Sequence, residues 1–71
     1  MKLLVTISTT HNKYEPLSTI VEIKDLFELR DNKKRILTEA FGKICKKMNT
    51  EYWCLKRDGY TQIHTKVLFN S

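Results

Sequence analysis

A chain of 71 residues with 13 Lys and Arg against 8 Asp and Glu, net charge +5, is one small basic domain over 1–71. That length excludes a two-domain enzyme, a doubly wound nucleotide-binding fold and a barrel of TIM size. Hydrophobic residues at 41%, with two Gly and one Pro, exclude a disordered chain.

Residues 2–9 alternate, with Leu3, Val5 and Ile7 on one side and Lys2, Leu4, Thr6 and Ser8 on the other. This is a strand pattern built from strand-favouring residues. The start resembles the beginning of a signal peptide, but its apolar run stops at Ile7, short of the ~7–15 residues such a region needs. The polar stretch His11 to Pro16 is expected to be a loop. Residues 17–24 fit two patterns. Leu17, Thr19, Val21 and Ile23 alternate, and Thr19-Ile20-Val21 is β-branched, which favours a strand. Pro16 ahead of Leu17, Ile20, Val21 and Phe27 at helical spacing would suit a helix. The strand is preferred, with Asp25 to Arg30 as an irregular or single-turn connection.

A long helix follows, capped by Asp31 or Asn32 and running to about Met48. Ile36, Leu37, Ala40, Phe41, Ile44, Cys45 and Met48 form one stripe on its wheel. Arg35, Glu39, Gly42, Lys43 and Lys46 lie on the far side. Arg35–Glu39 and Glu39–Lys43 are expected to pair at i,i+4 spacing, leaving Lys46 and Lys47 unpaired along the helix. Gly42 is unusual in mid-helix, where it costs about 1 kcal/mol relative to Ala. It is either a tolerated defect or a place for close approach by a partner. Asn49-Thr50 ends the helix.

Asp58-Gly59 between Glu51–Arg57 and Tyr60–Phe69 predicts a two-residue hairpin turn. The register would set Arg57 against Tyr60, Leu55 against Gln62, Cys54 against Ile63, Trp53 against His64 and Glu51 against Lys66. The expected architecture is α+β: a small antiparallel sheet with one long helix on one face, in the order β-β-α-β-β. A β-α-α-β-β order is the alternative.

In that hairpin one face carries Tyr52, Cys54, Lys56, Thr61, Ile63, Thr65, Val67 and Phe69 and is assigned to the core. The other shows Trp53, Leu55, Arg57, Tyr60, Gln62, His64, Lys66 and Leu68. Aromatic rings interleaved with cations make a recognition surface on this open face. The opposite assignment, with Trp53 inside, would invert the two faces. Residues 1–32 sum to a charge of −1 and residues 33–71 to +6, so the basic character belongs to the second half. This asymmetry suits an acidic protein or a polyanion.

The leading functional expectation is a non-catalytic, stoichiometric inhibitor or modulator of a host protein, of the phage or mobile-element type. Its contacts would be Trp53, Arg57, Tyr60, His64 and Lys66, with Lys46 and Lys47 at the rim. The alternative is a nucleic-acid binder in which Trp53 stacks on bases while Lys43, Lys46, Lys47 and Lys56 approach phosphates. Dimerisation by pairing of exposed strand edges is compatible with both. No cofactor or metal is expected. Cys45, Cys54, His11 and His64 lack metal-ligand spacing, and there is no phosphate loop or nucleophile elbow. The two cysteines are expected to be buried and reduced, in a cytoplasmic setting. No stretch approaches the ~20 apolar residues of a membrane span.

Overall fold

The computed structural model describes residues 1–68. Strand β1 (Lys2–Thr9) leads through a short 3-10 turn at Thr10–Asn12 to strand β2 (Leu17–Glu22). Three helices follow, α1 (Leu26–Asp31), α2 (Lys33–Met48) and α3 (Tyr52–Asp58), and then strand β3 (Tyr60–Leu68). The sheet is antiparallel, in the order β2-β1-β3. The class is α+β, but the element order is β-β-α-α-α-β rather than β-β-α-β-β.

β1 is central, paired with β2 along one edge and with β3 along the other. Leu3, Val5 and Ile7 are wholly buried under the helices. Opposite them on β2 stand Val21, Thr19 and Leu17, and on β3 Val67, Thr65 and Ile63. Residues 17–22 are therefore strand, as the β-branched run favoured. The helix-side core has two parts. Ile36 and Ala40 of α2 close over Leu3, Val5, Val21 and Ile23. Phe41 and Ile44 of α2 meet Ile7, Leu55 and Tyr60.

α2 follows its apolar stripe, with Ile36, Ala40, Phe41 and Ile44 buried and Met48 exposed at its end. Asn32 is its N-cap residue but makes no side-chain capping bond. Asn49 ends the helix in the left-handed region at φ 52°, and its N–H donates to the Cys45 and Lys46 carbonyls. The far-side charges pair differently from the expected i,i+4 ladder. Arg35 reaches Glu28 of α1 at 2.7 Å, and Lys43 Nζ donates to the Ile20 carbonyl at 3.1 Å.

The stretch expected as an irregular or single-turn connection is the six-residue helix α1, with Asp25 as its N-cap. Asp25 accepts from the Glu28 N–H at 2.8 Å, while the Glu28 carboxylate accepts from the Lys24 N–H at 2.6 Å. The two bonds satisfy two backbone donors at the helix start, in the manner of a capping box whose return bond falls one residue earlier, on Lys24.

The hairpin of residues 51–69 does not form. Residues 52–58 are α3, and Gly59 is its C-cap at φ 95°, donating to the Leu55 and Lys56 carbonyls. Asp-Gly here stops a helix instead of turning a ribbon. β3 pairs with β1, so Ile63 faces Ile7, Gln62 faces Ser8, His64 faces Thr6 and Lys66 faces Leu4. The register has a bulge between Ser8 and Thr9. The pairings expected for Trp53, Cys54, Leu55 and Arg57 are thus replaced by helical positions, and Glu51 is the extended N-cap residue of α3. Phe69, assigned to the core at the sequence level, lies outside the described residues. No helix among the described residues is long and apolar enough to cross a membrane.

Candidate functional site: an apolar groove beside an aromatic and cationic helix

α2 covers β1 and β2 and leaves the helix side of β3 open. The reason is geometric. One helix about 10 Å across cannot roof three strands spaced about 4.8 Å apart. Ile63, on the same side as Ile7, is consequently 39% exposed. An open groove of about 1040 Å³ results. Its walls include Leu37, Phe41 and Cys45 of α2, Tyr52 of α3 and Ile63 of β3. Lys33 and Lys34 border it at the start of α2, and Thr50 and Glu51 at the other end. From residue 33 to residue 45 the helix wall runs roughly 18 Å at 1.5 Å per residue.

Gly42 also lines the groove, and a Cβ there would meet nothing within 4 Å. Packing does not demand glycine at this position. Its absent side chain widens the groove. Gly42→Ala is expected to stabilise the domain by about 0.5–1 kcal/mol, because it lowers the backbone entropy lost on folding. Thermal unfolding checks this. A fall in the midpoint would mean that the helix is distorted at residue 42.

α3 continues the site outward. Leu55 points into the core, 4% exposed, so the opposite surface of the helix faces solvent. Tyr52 meets the edge of Phe41 with ring centroids 5.1 Å apart. Lys56 Nζ lies 5.8 Å from the Tyr52 ring centre, and the Arg57 guanidinium 5.3 Å from that of Trp53. Both are i,i+4 pairs, set side by side by the helical repeat. Trp53 is 58% exposed. Its emission is expected to be red-shifted and strongly quenched by iodide. A blue, shielded spectrum from a monomer would contradict this exposure.

The other residues proposed from sequence separate. Tyr60 is buried at 7%, where its hydroxyl donates to the Glu15 carbonyl at 3.0 Å and its ring stacks near Tyr14. Tyr60 is therefore core, not open surface. Burial, then the Asp58 carboxylate and the Tyr14 and Glu15 groups, hold its phenol above the ordinary value. His64 and Lys66 are exposed on the sheet face turned away from the helices, opposite Thr6 and Leu4. They do not share a surface with Trp53 and Arg57. Lys46 and Lys47 are exposed in the last turn of α2. Lys43 is engaged at the β2 edge, and Lys56 lies over Tyr52.

Cys45 and Cys54 are free and half-buried rather than fully buried. Partial burial, then the Cys54 thiol and Glu51 carboxylate nearby, raise the Cys45 thiol above its ordinary value. Among the described residues no group of three His, Cys, Asp or Glu is placed to hold a metal ion.

The raised Cys45 and Tyr60 groups make the fold sensitive to alkali. Both stay protonated longer in the native chain than in the unfolded one. Their contribution is whole below the ordinary values of 9.0 and 10.0 and is lost as pH rises above them. Urea unfolding should show stability falling above about pH 9. A stability that rises through that range would contradict the assignment.

Sequence reasoning missed Leu37, Phe41, Tyr52 and Ile63 as one surface. It placed the first two in the core stripe and set Tyr52 and Ile63 on a hairpin's buried side. Comparison with protein-family models, with curated proteins and with solved structures finds no match.

Proposed function

We propose that this protein is a stoichiometric binding module, an inhibitor or modulator of a host protein in the cytoplasm. Its partner presents an acidic amphipathic segment. The observation that carries this reading is the groove, an apolar trough with cations at its rim. Leu37, Phe41, Cys45, Tyr52 and Ile63 provide the apolar surface. Lys33 and Lys34 stand at one end, and Lys56 and Arg57 beside the aromatic rings of α3.

An amphipathic helix of about three turns matches the ~18 Å wall and would lie next to α2 over the uncovered strand. Its apolar residues would leave water against Phe41 and Ile63. Its carboxylates would meet the rim lysines, giving orientation and a faster encounter more than raw affinity. Tyr52 and Trp53 bring large area with few rotatable bonds, the property that makes such residues dominate binding energies. The net charge of +5 supplies long-range steering toward an acidic surface.

The test is capture from cell lysate, with and without nuclease, by the wild-type chain and by Trp53→Ala and Tyr52→Ala. The expected result is a protein retained after nuclease treatment and lost with both variants. Retention that vanishes with nuclease and weakens steeply with salt would replace the protein partner with nucleic acid.

A further inference from the structure

The two edges of the sheet differ, and the difference points to a second copy of this chain. The Ile23 N–H donates to the Met1 carbonyl at 2.8 Å, continuing the β1–β2 ladder by one position. In an antiparallel ladder, bonded and non-bonded pairs alternate. Leu3–Val21 and Val5–Thr19 are therefore bonded pairs, and Leu4–Ile20 is not. The Ile20 carbonyl accordingly points off the β2 edge, where Lys43 Nζ meets it at 3.1 Å. This edge is occupied by the protein's own side chain, and Pro16 stands immediately before the strand.

The same alternation fixes the opposite edge. Leu4 and Thr6 direct their backbone groups toward β3, bonding Lys66 and His64. Ile63, Thr65 and Val67 therefore turn their N–H and C=O groups outward. Nearer the bulge, the Thr61 N–H is already taken by the Gly59 carbonyl at 2.8 Å. Among the described residues the free stretch is thus Ile63 to Val67, and its centre is Thr65.

We propose that β3 pairs antiparallel with β3 of a second copy about a two-fold axis at Thr65. In that register Thr65 faces Thr65 of the second copy, and Ile63 faces its Val67. Each pair exchanges both backbone bonds, so every outward group of the free stretch is satisfied. The facing residues are all β-branched, the type that packs well across strands. Residues opposite each other share a side, so both helix layers fall on one face of the doubled sheet. Ile63 loses exposure against Val67, and the two grooves become neighbours.

A second copy is the occupant because the strand is complementary to itself about this centre. Aliphatic β-branched residues stand two positions either side of Thr65. His64 and Lys66 become cross-strand neighbours on the other face, and neither opposes its own copy. Lys66 does not guard this edge, since its backbone is bonded inward and its side chain stands on the open face.

The experiment is sedimentation velocity over a concentration series with wild type, Thr65→Pro, His64→Glu and His64→Lys. Proline at 65 removes an outward N–H that the fold does not use and is tolerated on an edge. The expected results are a wild-type dimer and a monomeric T65P with an unchanged circular dichroism spectrum. H64E, which faces Lys66 of the second copy, should tighten the dimer about tenfold and H64K weaken it about tenfold. A wild type that stays monomeric at high concentration overturns the proposal, as does a dimer indifferent to T65P. If T65P fails to fold, the opposite shifts of the His64 variants decide, and their absence overturns it. Tyr52→Ala leaves the dimer intact, so the edge and the groove succeed or fail separately.

Discussion

Ile44→Ala should bring the protein to the edge of unfolding at 25 °C. Ile44 is 1% exposed and joins α2 to Ile7 of the sheet, Leu55 of α3 and Tyr60 of β3. Removing its outer carbons forfeits their burial and leaves a void that the neighbours only partly close. Such truncations cost about 2–5 kcal/mol. A core of this size supplies about 3–5 kcal/mol in all. The two figures are comparable, so folded and unfolded chains coexist. The control is Phe27→Ala. Phe27 is 65% exposed on α1, and its replacement should move stability by no more than about 0.5 kcal/mol. Urea unfolding of both variants measures the contrast. A cost below about 1 kcal/mol at Ile44 would mean that α2 does not pack on the sheet as described.

Trp53→Ala should lower partner affinity by about thirtyfold or more without lowering stability. That factor corresponds to the roughly 2 kcal/mol typical of an aromatic hot spot. The indole lies outside the core, covered on one side by the Arg57 guanidinium. Its loss removes contact area and frees Arg57 from its stacked position. Calorimetric titration with the captured partner measures the effect, with thermal unfolding as the control. An unchanged affinity would remove Trp53 from the binding surface and confine recognition to the groove. A variant that unfolds would contradict the exposure of the ring.

One dipeptide shows how a correct local signal can serve a different structure. Asp58-Gly59 is both a hairpin signal and a helix stop. What decides between them is the stretch before it. Lys56 and Arg57 sit in the last turn of α3, where cations favour the end of a helix dipole. Leu55 lies three residues after Tyr52, so helical spacing puts both on the side of α3 that meets Phe41, Leu55 in the core and Tyr52 at the groove. Trp53 was expected at the surface and is found there, but its neighbour is Arg57 on a helix and not His64 across a ribbon. At α1 the signal was overlooked: Asp25-x-x-Glu28 is a helix-start pattern, in a stretch expected to be an irregular or single-turn connection.

The linear chain was enough to specify the α+β class, the alternating first strand, the extent of the long helix and the basic second half. These follow from periodicity and charge, which are local properties of consecutive residues. Which strand neighbours which was settled only in three dimensions. β1 offers bonding groups on both edges, and β3 took the edge left by β2 instead of folding back on residues 51–57. That choice depends on apolar area buried between distant residues, such as Ile7 with Tyr60 and Leu55, which no local pattern encodes. The groove has the same origin. It is the part of the sheet that one helix is too narrow to cover.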